Sequence, residues 1–182
     1  NQGSILSKLI YINVGLFLIV RLLSVAFILF NMNADTVLFW LQVPSSPIQL
    51  LYRPWTLLTY MFTHFDFLHI IFNMLWLYWF GGLFLNFFSE RQLGGLSGAL
   101  LYIVSYNFFP YFSNVSAHST LMGASASVMA IVFAVSFYKK DMEISLLLIG
   151  RIKLIYLALF TLGIDLLAIT SDNAGGHIAH IG

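Results

Sequence analysis

Long apolar stretches dominate this sequence and restrict the folds that it can adopt. An α-helix needs about 20 mainly apolar residues to cross the hydrocarbon core of a bilayer. The candidate spans are 9–30, 70–88, 96–112, a shorter one at 125–138, 152–169 and 177–182. The sequence therefore predicts an all-α integral membrane protein, a six-helix transmembrane bundle that forms a single domain.

The low charge content supports this prediction, since only 8% of the residues are charged and 60% are hydrophobic. A soluble domain carries about 25% charged residues, so much of this surface is expected to face lipid. No basic run indicates a nucleic-acid partner. The absence of cysteine excludes disulfides and thiolate chemistry.

The sixth span begins at His177, and the sequence ends at Gly182. A helix that stopped in mid-bilayer would leave backbone carbonyls unpaired. We therefore expect this span to be truncated here, and a start at Asn1 rather than Met indicates a fragment.

Basic residues predict the orientation of the chain. Arg53 falls on the outer side if the N-terminus is cytoplasmic, and Arg21 lies within the first span. The basic residues that then face the cytoplasm are Lys8, Arg91, Lys139, Lys140, Arg151 and Lys153. The positive-inside rule favours this arrangement.

Residues 31–67, rich in aromatics and interrupted by prolines, form a long outer connection that suits the headgroup layer; a plain tethering loop is the alternative.

Polar side chains within spans are costly, so each of them needs an explanation. His69 and Asn73 lie four residues apart and project from one face near the outer end of the second span. They could donate hydrogen bonds to a common point or simply join neighbouring helices.

A serine follows Gly123-Ala124 where the fourth span begins on the outer side. Ser125 would lie near free backbone N–H groups, either as a reactive hydroxyl or as a helix cap. Ser127 would point about 200° away around the helix, so the two serines cannot face one site.

Two histidines, His177 and His180, open the sixth span. A serine hydroxyl needs a neutral imidazole within hydrogen-bond reach to become a nucleophile, and its oxyanion needs donors. The nearest acids in the sequence are Asp165 and Asp172, and an ionised acid would be costly in a bilayer. We therefore expect a Ser–His dyad. Asp165 in the fifth span has no assigned partner; Asn173 and a water-filled cavity are candidates.

The ordered set His69-x-x-x-Asn73, Gly123-x-Ser125 and Ala179-His180-Ile181-Gly182 resembles the rhomboid family of intramembrane serine proteases. Glu90-Arg91-Gln92-Leu93-Gly94 and Arg53-Pro54-Trp55 are similar to two further regions of that family.

The resemblance implies Ser125 as nucleophile and His180 as general base, preferred to His177. It also implies an oxyanion hole made by His69, Asn73 and the Ser125 amide, with no metal or other cofactor. Transmembrane protein substrates would be cut at an unwound stretch, on the outer side of what we expect to be a prokaryotic plasma membrane. The fifth span with its cap at residues 170–175 would be a lateral gate.

Two positions depart from the family pattern: Ala126 stands where Gly is common, and Met129 where an aromatic often packs on the histidine.

A catalytically inactive membrane chaperone of the same fold is one alternative function. An intramembrane metal site or transporter is another, with a ligand set formed by His64, His69, His177 and His180. His64 and Asp66 more simply suggest structural hydrogen bonds.

Overall fold

The computed structural model describes residues 2–87, 96–112, 119–146, 150–170 and 173–182. This part of the chain is mainly helical, as the apolar stretches predict. Its α-helices are α1 Gln2–Leu29, α2 Asp35–Phe39, α3 Pro47–Tyr52, α4 Thr56–Thr59, α5 Phe67–Leu85, α6 Leu96–Phe108, α7 Ser125–Tyr138, α8 Leu154–Leu167 and α9 Ala174–Ile181. The segment Glu90–Gly94, His118 and Asp172 lie outside the described residues.

The helix boundaries differ from the predicted spans for local reasons. Helix α5 begins at Phe67 because the Asp66 carboxylate caps it, accepting a hydrogen bond from the His69 N–H at 2.8 Å. Helix α6 ends at Phe108, four residues early, since a residue before proline disfavours helical geometry and Pro110 follows. A separate 3-10 turn then covers Pro110–Phe112.

Two short antiparallel strand pairs accompany the helices, which the all-α prediction did not include. Strand β1 (Val43–Pro44) pairs with β2 (Thr120–Leu121), placing Val43 opposite Leu121. Strand β3 (Glu143–Leu146) pairs with β4 (Gly150–Lys153). The first pair fastens the predicted outer connection to the segment that leads into α7.

The predicted connection 31–67 contains three short α-helices and a 3-10 turn at Tyr60–Phe62 rather than a plain loop. Trp40 and Trp55 stack with ring centroids 6.0 Å apart, and the Trp55 indole N–H donates to the Trp40 carbonyl at 2.9 Å. Arg53 is buried, and its guanidinium donates to the Phe39 carbonyl and to the Gln49 side chain. These contacts give the segment a defined shape.

Helix α7 lies at the centre of the helices, where it packs against α5, α8 and α9. Its residues Val132 and Val135 are completely buried. Helix α6 packs on α9 and helix α1 on α5. The N-terminus of α7 is therefore surrounded by side chains from several helices.

The outside of this assembly is strongly apolar. Leu22, Phe30, Leu51 and Leu167 are among many large hydrophobic side chains that are mostly exposed. Ile5–Leu29 and Phe67–Leu85 are each long and apolar enough to cross a membrane, whereas α7 and α8 are apolar but shorter. So much exposed apolar surface indicates contact with lipid.

Candidate active site

A glycine turn places Ser125 at the first position of α7. Gly123 has φ of +108°, which side-chain-bearing residues rarely adopt, and its N–H donates to the Tyr60 carbonyl at 2.8 Å. The Ala124 carbonyl accepts from the Val128 N–H at 3.0 Å and so starts the helix. The turn leaves Ser125 at a helix N-terminus, where backbone N–H groups lack helical partners.

A second contact holds this turn from the side. The Ala124 N–H donates to the His64 ring at Nε2, 3.2 Å away, and His64 is completely buried. Burial, with a smaller effect from the neighbouring His69, lowers the pKa of His64 to about 4. His64 therefore stays neutral in mildly acidic solution and remains an acceptor for the residue next to Ser125. The hydrogen bond predicted for His64 is present, but nothing in the sequence indicates its partner 60 residues away.

Two adjoining cavities bring the predicted site residues together. The first, of about 250 Å³, is lined by Asn73, Ser125, Met129, Asp165 and His180, among others. The second, of about 600 Å³, is lined by His69, Ser125, His180 and neighbouring residues.

Ser125 and His180 line both cavities, without a direct hydrogen bond between them in the described part of the chain. Catalytic hydrogen bonds often tighten only when substrate is bound. Met129 lines the first cavity together with His180, and the family resemblance implies that a residue at this position packs on the histidine.

Ser127 faces elsewhere, as its position on the helix predicts. It lines a third, smaller cavity together with Asn13 of α1. Within the described ranges, its hydroxyl is buried and makes no hydrogen bond. Since Ser125 lines the two cavities that His180 also lines, and Ser127 lines neither of them, Ser125 is the candidate nucleophile.

Asn73 and His69 provide donors on the α5 side. Asn73 is buried, and its amide nitrogen has no hydrogen-bond partner among the described residues. An unpaired buried donor is unusual, and here it borders the cavity that contains Ser125. His69 lies directly against Gly123: a Cβ added there would be 2.8 Å from its Cε1 and 3.2 Å from its Nε2.

We expect Gly123→Ala to lower the rate of any reaction at Ser125 by about 10- to 100-fold, because loss of one oxyanion donor costs at least that much. The new methyl group would displace the His69 ring, and alanine would be strained at this φ. The rate of serine labelling by a fluorophosphonate probe would measure the effect.

Gly150→Ala is the matched control, since Gly150 also has a positive φ, +85°, but a Cβ added there would meet no atom within 4 Å. It should label at nearly the wild-type rate. Equal losses in the two variants would show that backbone strain, not contact with His69, causes the effect.

Asp165 contacts the candidate base His180, a contact that the expected Ser–His dyad did not include. One carboxylate oxygen, Oδ1, lies 3.0 Å from Nδ1 of His180 and 2.7 Å from Nδ1 of His177. The carboxylate meets both rings because α8 packs against α9 and the two histidines are one turn apart. The sequence left the partner of Asp165 open, with Asn173 as a candidate; the partners are these two histidines.

The four-histidine metal site suggested as an alternative is not formed. Among the described residues, the group that could hold a metal ion is Asp165, His177 and His180, whose ligand atoms lie within 4.8 Å of one another. His64 and His69 are absent from that group, and His64 already accepts a backbone hydrogen bond.

These residues lie within the part of the chain that matches a known protein family. The family model described as Rhomboid domain matches residues 52–182. A protein named Rhomboid protease GlpG from Salmonella newport (strain SL254) is 39% identical over 69 residues, which are 38% of this chain and 22% of that protein. The protein of the same name from Salmonella paratyphi A is 38% identical over 80 residues, 43% of this chain and 26% of its own length. The matched segments thus span about a quarter or less of these relatives.

Proposed function

This chain belongs to the rhomboid family, and we propose that it is an intramembrane serine protease that cuts membrane-protein substrates. The observation that best supports the proposal is the meeting of Ser125, His180 and Asn73 at one cavity, each from a different helix. The name of these relatives, Rhomboid protease GlpG, agrees with this activity.

In the proposed reaction, His180 takes the proton of the Ser125 hydroxyl while the oxygen attacks the scissile carbonyl. The Ser125 N–H, the Asn73 amide and His69 donate to the oxyanion that develops. The C–N bond then breaks, and His180 gives the proton to the leaving amine. Water next attacks the acyl-enzyme, with the same imidazole as base, and releases the second product and free Ser125.

The proposed membrane arrangement is a bundle of six helices, α1 and α5 to α9; among the described residues, α1 and α5 are the helices long and apolar enough to cross the bilayer as they stand. Their exposed apolar side chains support contact with lipid, and the distribution of basic residues favours a cytoplasmic N-terminus. In that orientation Ser125 opens toward the outer face of what we propose is a prokaryotic plasma membrane.

The proposed substrate is a transmembrane helix whose outer end unwinds easily. A continuous helix has its amides paired internally, so a scissile carbonyl becomes accessible only where the helix opens. Helix α8, which forms one wall of the first cavity through Thr161, Ile164 and Asp165, is the proposed lateral gate.

The test uses the full-length protein in liposomes with a transmembrane substrate that carries helix-breaking residues near its outer end. We expect the protein to cleave this substrate. We also expect a fluorophosphonate to label Ser125, as mapped by peptide mass spectrometry, and the cleavage rate to fall in proportion to the labelled fraction. Neither labelling nor cleavage would indicate the inactive chaperone instead. Cleavage that persists in fully labelled protein and stops with a chelator would indicate a metal-dependent site.

A further inference from the structure

We propose that Asp165 is a positioning residue that orients His180 toward Ser125, so that the site works as a Ser–His–Asp set and not as a Ser–His pair. This inference rests on the proposed protease function. It departs from what the family resemblance implies, which assigns no role to an acid in the fifth span.

The first support is the location of the carboxylate. The Asp165 side chain is only 6% exposed, on a helix whose following residues Leu166 and Leu167 are exposed apolar side chains. A buried carboxylate is costly unless it is paired and hydrogen-bonded. Its Oδ1 meets the imidazole of His180, which also lines both cavities that contain Ser125.

The second support is the ring atom that makes the contact. An ionised carboxylate only accepts hydrogen bonds, so His180 must carry its proton on Nδ1. Nε2 then keeps its lone pair, and a general base needs that lone pair to receive the serine proton. When the ring becomes an imidazolium, the adjacent negative charge stabilises it, as an aspartate does in soluble serine proteases.

The third support is the role left for His177. Its Nδ1 contacts the same Oδ1 at 2.7 Å, yet His177 lines neither of the cavities that contain Ser125. It therefore holds the carboxylate in place from the side away from the cavities. The titratable groups that line the two cavities together with His180 are Asp165 on α8, His69 on α5 and Tyr106 on α6, and Asp165 is the one carboxylic acid among these.

The alternative is that Asp165 only ties α8 to α9. A structural tie would affect the unfolding midpoint and would weaken substrate binding and turnover together. A positioning role instead lowers kcat, because the base is misoriented, and leaves KM nearly unchanged.

The first experiment measures kcat, KM and the unfolding midpoint in mild detergent for D165N, D165E and H177N in the full-length protein. We expect D165N to lose about 100- to 10,000-fold in kcat with KM within about twofold. The amide N–H₂ can donate to Nδ1 of His180 and so hold the ring in the tautomer that carries its proton on Nε2, which cannot act as the base. D165E should recover at least tenfold over D165N because it restores a carboxylate acceptor. H177N, which removes a bond to the same carboxylate but leaves His180 paired, should lose less than tenfold.

A D165N variant with kcat within threefold of wild type would overturn the proposal. So would parallel losses of activity and unfolding midpoint in D165N and H177N, since these would indicate a structural tie.

The second experiment does not depend on the folding of an Asp165 variant. In wild-type protein labelled with ¹⁵N-histidine, NMR should show His180 protonated at Nδ1 with a strongly deshielded proton, identified by its loss in H180N. Protonation of His180 at Nε2 would overturn the proposal. The NMR result is independent of turnover, so a protein that neither labels nor cleaves would refute the proposed function without deciding the position of the Asp165 contact.

Discussion

We expect Ser125→Ala to reduce cleavage of a membrane substrate by about 10⁴-fold or more, because no acyl-enzyme can form without the hydroxyl. Fluorophosphonate labelling should disappear in the same variant. The fold should be unaffected, since Ser125 begins α7 without providing the capping hydrogen bond and Ala124 precedes it as the N-cap. The unfolding midpoint in detergent, measured beside the cleavage rate, would separate loss of chemistry from loss of folding.

Ser127→Ala is the matched control for this prediction. Both serines lie in the first turn of α7, but Ser127 lines the cavity shared with Asn13, away from His180. We expect it to cleave and label at close to the wild-type rate. If Ser125→Ala were still labelled and Ser127→Ala were not, the nucleophile would be Ser127, and the proposed role of Ser125 would be wrong.

Much of the helical framework could be predicted because apolar run length and polar interruptions depend on local sequence. The start of α7 at Ser125 follows from such signals, whereas the predicted second span began at residue 70 and so missed the Asp66 cap that starts α5 at Phe67. The sequence also contains a signal for the end of α6, because Pro110 disfavours helical geometry at Phe109. The predicted span reached residue 112 because it was based on hydrophobicity alone.

Contacts between distant segments could not be predicted in the same way. The His64 contact with Ala124 and the β1–β2 pair each join residues that lie far apart in the chain. Their formation depends on how the segment before α5 packs beside the turn before α7, and no local pattern encodes that packing.

Asp165 shows a different limit of sequence reasoning. Its position in an apolar span indicated a need for a partner, and the expected cost of an ionised acid argued against a catalytic role. Two histidines on the adjacent α9 offset that cost by hydrogen-bonding to the carboxylate. Which face of α8 meets α9 depends on helix rotation, and the spacing of residues within either helix does not determine that rotation.

We expect His180→Ala to lower kcat by about 10⁴-fold, close to the effect of removing the serine, because nucleophile and base act as one unit. His180 lines both cavities beside Ser125, whereas His177 lines neither. His177→Ala should therefore keep activity within about tenfold of wild type, with the loss arising from a less firmly held Asp165 carboxylate. Cleavage rates of the two variants in the same liposomes would measure the difference.

The comparison is strict because the two histidines share the carboxylate, the helix and a similar exposure of about 20%. Any general effect of removing an imidazole from α9, or of releasing Asp165, should appear equally in both variants. A large difference in favour of His180 then depends on which ring reaches Ser125. If His177→Ala were the inactive variant and His180→Ala retained cleavage, the base would be His177, and the catalytic geometry proposed around the two cavities would be wrong.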